Sequence, residues 1–230
     1  MFKQLLFVHW KGVKIGLLPF VLAAFGLPLM AVQGITPNPE MGASSTIQGA
    51  QMLYNLQVWV PFFPLLATLT GVTVALTAWN WDHRGEHVYP LSLPVARWQY
   101  VLMKMGAGAA LLLIPFGAVW FGNLLATASL EIPEGLRAYP TAVAVRFLLT
   151  SLVMYALLFA MGAGTMRTAV WIIVGFLVVT VAGGALADFL TEAFFPNFGS
   201  FNLMEWVVQK SLEWPGPFEV VTGSWMLIDV

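Results

Sequence analysis

The length of its apolar runs constrains this chain more than any other feature. A helix needs about 20 predominantly apolar residues to cross a hydrocarbon core. Five runs approach that length, at 15–32, 58–79, 101–128, 142–164 and 168–187. Little is left to cover a water-facing surface. Only 9% of the 230 residues are charged and 59% are hydrophobic, where an ordinary soluble domain carries about 25% charged residues. A globule of this composition would leave long apolar stretches against water. A soluble enzyme and intrinsic disorder are excluded on the same ground. A net charge of −1 also offers no basic surface for nucleic-acid phosphates. The expectation is an all-α integral membrane protein of five to six transmembrane helices, forming a single transmembrane domain over 1–230.

Pro19, Pro28, Pro61, Pro64 and Pro115 fall inside the runs, where neighbouring helices can re-satisfy the freed backbone groups. The chain has no cysteine, so disulfides, thiolate metal sites and thiol nucleophiles are absent. Its N-terminus spreads lysines over fourteen residues, with no short apolar core before a small-residue cleavage site. The first run is therefore read as a retained anchor.

Charge placement sets the orientation. With the N-terminus in the cytoplasm, Lys3, Lys11, Lys14, Arg84, Arg97, Lys104 and Arg167 fall inside, and Arg137, Arg146 and Lys210 fall outside. Of the acids, only Asp82 and Glu86 lie inside. Basic residues in short loops favour the cytoplasm, which supports this orientation. Trp10, Trp79, Trp81, Trp98 and Trp171 then mark the inner interface and Trp59 the outer one, as an aromatic belt does. After the fifth run, 188–230 is an outer segment. Within it, 203–212 reads as a short amphipathic helix on the outer surface. The apolar residues 225–230 read as opening a sixth span that would continue past the given sequence.

On a helical wheel Lys3, Gln4, Lys11 and Lys14 share one side of 1–14, and Phe2, Leu5, Leu6, His9 and Val13 share the other. This pattern predicts a basic amphipathic helix in the headgroup layer ahead of the first span. His9 on the apolar side is read as a packing residue.

The most informative stretch joins the second and third runs and reads WNWDHRGEHVYPLSLPVARWQYVLMK, from Trp79 to Lys104. Asp82, Arg84, Glu86, Arg97 and Lys104 lie in it. A short polar helix or turn is expected over 82–88, then an extended piece. Pro90 and Pro94 push their preceding residues out of the helical region and stiffen it. A stiff, charged elbow between two spans suits the transfer of force from a soluble partner. A second reading takes HRGEH, His83 to His87, as an H-x-x-E-H zinc-hydrolase pattern, with Glu86 as general base between two histidines able to share a metal. Against it, Gly85 weakens the helix by about 1 kcal/mol, Pro90 follows almost at once, and no third ligand stands nearby. No metal site is therefore assigned.

The elbow resembles that of the ABC type-2 permeases, the membrane subunits of a class of ATP-driven exporters. The charged, Gly-containing piece is Asp82, Arg84, Gly85 and Glu86; the Leu-Ser-Leu-Pro-like segment is Leu91–Pro94; then come Arg97 and Lys104. The amphipathic N-terminus and the spacing of the runs are similar as well. The family usually opens this loop with a glutamate where Asp82 and His83 stand, and it has six spans.

The resemblance implies a permease that dimerises with itself or a homologue in the inner membrane of a prokaryote. It docks a cytoplasmic ABC ATPase through the elbow, called the coupling helix. Asp82, His83, Arg84, Glu86 and His87 are the expected docking residues, braced by Arg97 and Lys104. No G-x-x-x-x-G-K-[ST] loop occurs, so ATP and Mg belong to the partner and the chain itself is not expected to be an enzyme. A non-transport scaffold subunit is a further alternative.

Thr70, Thr73 and Thr77 share a side of the second run. They either line a translocation path or bond back to their own helix. Small residues cluster at 106–110, 162–164 and 182–185 and are candidate packing or dimer seams. Ionisable groups are scarce at mid-depth, whereas ion-coupled carriers place them along their path. That scarcity suits export of an amphipathic cargo.

Overall fold

The structure is a computed structural model and describes residues 2–33, 45–84, 96–133, 135–163, 170–171, 174, 220–221 and 223–229. The described part is mostly helical (84%), which establishes the all-α class. In chain order the elements are α1 (Phe2–Gln33), α2 (Ser45–Gln57), α3 (Phe62–Arg84), α4 (Arg97–Leu111), α5 (Leu113–Ala128), β1 (Arg137–Ala138), α6 (Pro140–Ala163) and β2 (Ile228–Asp229). Four helical runs are long and apolar enough to cross a membrane: Phe2–Gln33, Gly49–Trp79, Trp98–Ala128 and Pro140–Ala163. They overlap the first four expected spans. The fifth, 168–187, lies outside the described residues except for three helical positions, and 203–212 lies wholly outside them.

Proline chemistry explains where two of these runs break. Between α2 and α3 the chain turns at 58–61, just where Pro61 lacks an N–H and Pro64 follows. Between α4 and α5 the break falls at Leu112, one turn ahead of Pro115. A helical proline crowds the carbonyl four residues earlier, here that of Leu111. By contrast α1 runs unbroken through Pro19 and Pro28. At 1.5 Å per residue its 32 residues reach about 48 Å, well beyond a hydrocarbon core.

The N-terminal residues thus form no separate surface helix. They are the first turns of α1, and the apolar side expected to enter headgroups packs on protein instead. His9 and Val13 are buried, with Leu6 against the same cluster, while Lys3, Lys11 and Lys14 stay exposed on the opposite side. The physical reason is continuity: the 6-9-13-17 stripe extends the buried face of the span, so one helix serves both.

The chain divides into two compact units. One comprises Met1–Phe159 with Gly223–Val230, and the other Ala160–Thr222. In the first unit α1 packs along α3, α4 and α5. Its core has two clusters. Near the elbow, Val13 and Leu17 meet Val74 and Trp79 of α3 and Tyr155 and Phe159 of α6. At the far end Ala24, Phe63, Val119 and Phe147 pack with Trp225 and Ile228. The last of these arrive from the C-terminal segment, where β2 pairs antiparallel with β1, Arg137 opposite Asp229 and Ala138 opposite Ile228. Residues 225–229 are therefore a buried, extended strap on this unit rather than the opening of a helix.

Among the described glycines, two permit the closest approaches of one helix to the backbone of another. A Cβ on Gly71 of α3 would lie 2.5 Å from the carbonyl oxygen of Ser151 in α6, and one on Gly122 of α5 2.6 Å from that of Phe25 in α1. Outward faces stay apolar, with Ile15 81% and Leu76 65% exposed, as expected where lipid covers them.

Candidate functional site

The elbow is framed by the last turn of α3 and the first turn of α4. Asp82, His83 and Arg84 occupy that last turn of α3 and Arg97 opens α4, but their side chains lie outside the described part of the structure. Glu86 and His87 lie outside the described residues altogether. The zinc reading rests on the same stretch. Among the described residues no group of three His, Asp or Glu could hold a metal ion.

Immediately beneath the elbow lies a layer of polar side chains that ties four helices together. Trp79 of α3 is buried and its indole N–H donates to the Phe159 carbonyl of α6 at 3.0 Å. Its ring tilts against Phe159 at 5.0 Å. Tyr155, one turn earlier in α6, donates its hydroxyl to the Met105 carbonyl of α4 at 3.0 Å. His9 of α1 places Nε2 3.3 Å from the Val74 carbonyl of α3, with Nδ1 buried and unpartnered. Each pairing joins a side chain to the backbone of another helix. Such bonds are scarce between apolar helices and hold them in register.

Lys104, expected as a brace of the elbow, lies inside this layer. It is only 7% exposed, with Nζ 4.3 Å from the centroid of the Trp79 ring and 5.5 Å from that of Tyr100. An aromatic face attracts a desolvated ammonium by about 2 kcal/mol. The cation therefore links the C-terminal end of α3 to the start of α4, the two helices that flank the loop.

Trp79 departs from the belt role read from sequence, because its N–H is spent on α6 rather than on headgroups. Trp98 and Trp10 do remain exposed, at 63% and 37%. Tyr155 went unnoticed in the sequence. The available signal was a phenol in an otherwise apolar run, since a buried tyrosine hydroxyl needs an acceptor.

The threonine face resolves differently. Thr70 donates to Leu66 O at 2.7 Å, Thr73 to Leu69 O at 2.8 Å, and Thr77 to Thr73 O at 3.0 Å. All three hydroxyls are back-bonded within α3, and Thr70 is fully buried. Ser151 of α6, by contrast, does reach across to this helix, donating to Ala67 O at 3.0 Å as well as to Phe147 O within α6.

At the far end a half-open pocket of about 160 Å³ lies beside the start of α6, lined by Tyr139, Arg146, Ser224, Met226 and Asp229 among others. Arg146 donates to the Ser224 carbonyl there.

Compared with known proteins, the chain matches no family model, no curated protein and no solved structure.

Proposed function

We propose that this chain is the membrane permease subunit of an ABC exporter, driven by a separate cytoplasmic ATPase that docks on the elbow between α3 and α4. The observation that carries the reading is the layer beneath that elbow. Trp79, Lys104, Tyr155 and His9 bind the two flanking helices to α1 and α6. A load applied at Asp82–Glu86 then acts on several helices together, and a motor needs that from its docking point.

The orientation with Lys3, Lys11 and Lys14 in the cytoplasm belongs to the same reading, as does placement in a prokaryotic inner membrane. A fifth crossing is also part of it. Phe159 lies at the elbow end beside Trp79, whereas residues 223–229 lie at the opposite end. Re-entry at the opposite end fits an odd number of crossings between them. ATP and Mg would be held by the partner, and the assembly would contain two permease copies or two homologues.

The test is purification of the tagged full-length chain from its native membrane in mild detergent. Vanadate-sensitive ATP hydrolysis should accompany it and should be lost on Arg84→Glu with chain level unchanged. A chain that carries stoichiometric zinc and no ATPase activity would overturn the proposal in favour of the hydrolase.

A further inference from the structure

Helix α1 carries no acidic residue, and its three lysines lie on one exposed face. At about 100° per residue Lys3, Lys11 and Lys14 share an arc of about 120° with Ile15, Leu18 and Leu22, all of them exposed. The stripe therefore changes character along its length. Its N-terminal turns are cationic, and the turns that follow are apolar.

Two contacts set its depth. A Cβ on Gly16 of α1 would lie 3.6 Å from Cγ2 of Thr73, the middle of α3, whose elbow end at Arg84 is eleven residues farther on. A Cβ on Gly106 of α4 would lie 3.6 Å from the Phe2 ring. Residues 97–105 of α4 therefore run past the start of α1 toward the elbow, by about 13 Å at 1.5 Å per residue. Lys11 and Lys14 thus stand well inside the elbow end of the bundle, where Leu69 and Leu76 of α3 are exposed. An ammonium among acyl chains is costly, and a lysine relieves that cost by reaching for the interface. Helical side chains tilt toward the N-terminus, which here is the elbow end. All three ammonium groups are then directed at the headgroups of the elbow-side leaflet. Glu131 and Asp229, the acids whose side chains are described, lie at the opposite end and supply no counter-charge here.

We propose that this face of α1 holds a resident anionic phospholipid. Its phosphate sits between Lys11 and Lys14, with Lys3 adding charge nearer the elbow, and its acyl chains run along Ile15, Leu18 and Leu22. Three cations on a helix without an acid match a headgroup of net negative charge. They would repel the ammonium of a zwitterionic one. The inference rests on the placement of α1 in a membrane and not on the transport reading, and its test does not use ATP.

The probe is phosphatidylglycerol, compared with phosphatidylcholine of the same acyl chains, added to the delipidated full-length chain in a nonionic detergent. Phosphatidylglycerol should raise the melting temperature more than phosphatidylcholine does, and native mass spectrometry should retain it as a bound adduct. Lys11→Gln and Lys14→Gln should each weaken that binding by about fivefold, and the double change by more. Lys11→Arg with Lys14→Arg should keep it. Because these side chains are exposed, the glutamine variants should melt with the parent chain when no lipid is added.

Equal stabilisation by the two lipids, or a preference that survives the double glutamine change, would leave the lysines reaching for bulk headgroups and overturn the proposal. So would inorganic phosphate that stabilises as well as the lipid, since the apolar half of the stripe would then play no part. The chain has no cysteine, so Leu18→Cys reports on a second copy. Rapid oxidation to a disulfide-linked dimer in membranes would give this face to a protein neighbour and overturn the lipid assignment, whereas a thiol that stays monomeric agrees with it.

Discussion

Replacing Gly71 by alanine tests the closest backbone approach at a glycine among the described residues. The added methyl would sit 2.5 Å from the Ser151 carbonyl oxygen, 3.1 Å from the Tyr155 nitrogen and 3.2 Å from the Met154 Cβ. A carbon-to-oxygen contact needs more than 3 Å, and the first two of these atoms are helix backbone, which cannot swing aside. So α6 must move away from α3 by roughly half an ångström or more, a gap that forfeits about a quarter of the dispersion along the seam. Overpacking of this kind costs about 1–3 kcal/mol.

The shift also stretches Ser151 Oγ to Ala67 O and Trp79 Nε1 to Phe159 O, both now 3.0 Å. Each such bond is worth about 1 kcal/mol. Alanine's better helix propensity returns at most about 1 kcal/mol. The net loss is about 1–4 kcal/mol, or roughly 2–16 °C at about 2–4 °C per kcal/mol for a chain of this size.

Gly26 and Gly117 supply the control, since a Cβ at either meets nothing within 4 Å. Alanine there should be neutral or slightly stabilising. Thermal unfolding of the three variants in one detergent, followed by the monodisperse fraction remaining after heating, gives the comparison. If Gly71→Ala melts with Gly26→Ala, α3 and α6 are not in backbone contact and the reasoning fails.

Trp79→Leu removes the N–H that satisfies Phe159 O and the ring beneath the Lys104 ammonium. It should destabilise by about 3–5 kcal/mol, as large-to-small aromatic changes do, and Lys104→Met added to it should recover part of that loss in the same melting assay. Trp79→Phe keeps a ring and should cost less than Trp79→Leu. If the transport reading is correct, the triple change of Thr70, Thr73 and Thr77 to valine should leave ATP-driven efflux in vesicles within about twofold, because each hydroxyl bonds its own helix; a large loss at normal expression would place them on the path. Topology reporters inserted near residue 90 and fused after residue 230 should read opposite sides of the membrane. Two reporters on one side would break the five-span reading.

Much of the fold was legible because apolar run length is a direct physical demand of the bilayer. The four described runs follow it, and even their interruptions trace to Pro61 and Pro115. The elbow-side chemistry was only half legible. Lys104 stood out as a charge, but nothing in the sequence placed it over Trp79, since cation–ring contact depends on the rotation of α3 against α4. Trp79 looked like a belt residue because an indole near a span end serves equally well as a headgroup anchor or an interhelix donor.

Gly71 and Gly122 were passed over for the denser clusters at 106–110 and 162–164. A single glycine suffices where two helices cross, so counting small residues misses it. The strap was least legible of all. Four consecutive apolar residues, 225–228, look like the start of a helix, and only the β1 partner about ninety positions earlier reveals them as extended.

Interhelix polar bonds also govern how such a bundle deforms. Lipid supplies no hydrophobic drive for helix association, so packing and buried hydrogen bonds decide which helices move together. Here the bonds from His9, Trp79 and Tyr155 lie toward the elbow, Ser151 adds one farther along α3, and the strap holds the opposite end. Moving α3 alone at the elbow end would leave the buried His9 and Trp79 donors unpaired, at about 1–3 kcal/mol each. Tilting α1, α3, α4 and α6 as one body breaks none of them. Helix α5 is held to α1 through the approach of Gly122 to Phe25 and so moves with that body. The break at Leu112, between α4 and α5, is where the third run bends most easily. Replacing Pro115 by alanine, which restores a donor to the Leu111 carbonyl, should stiffen that joint and raise the melting temperature. If the reading of the elbow is correct, it should also slow ATP turnover in the assembled complex.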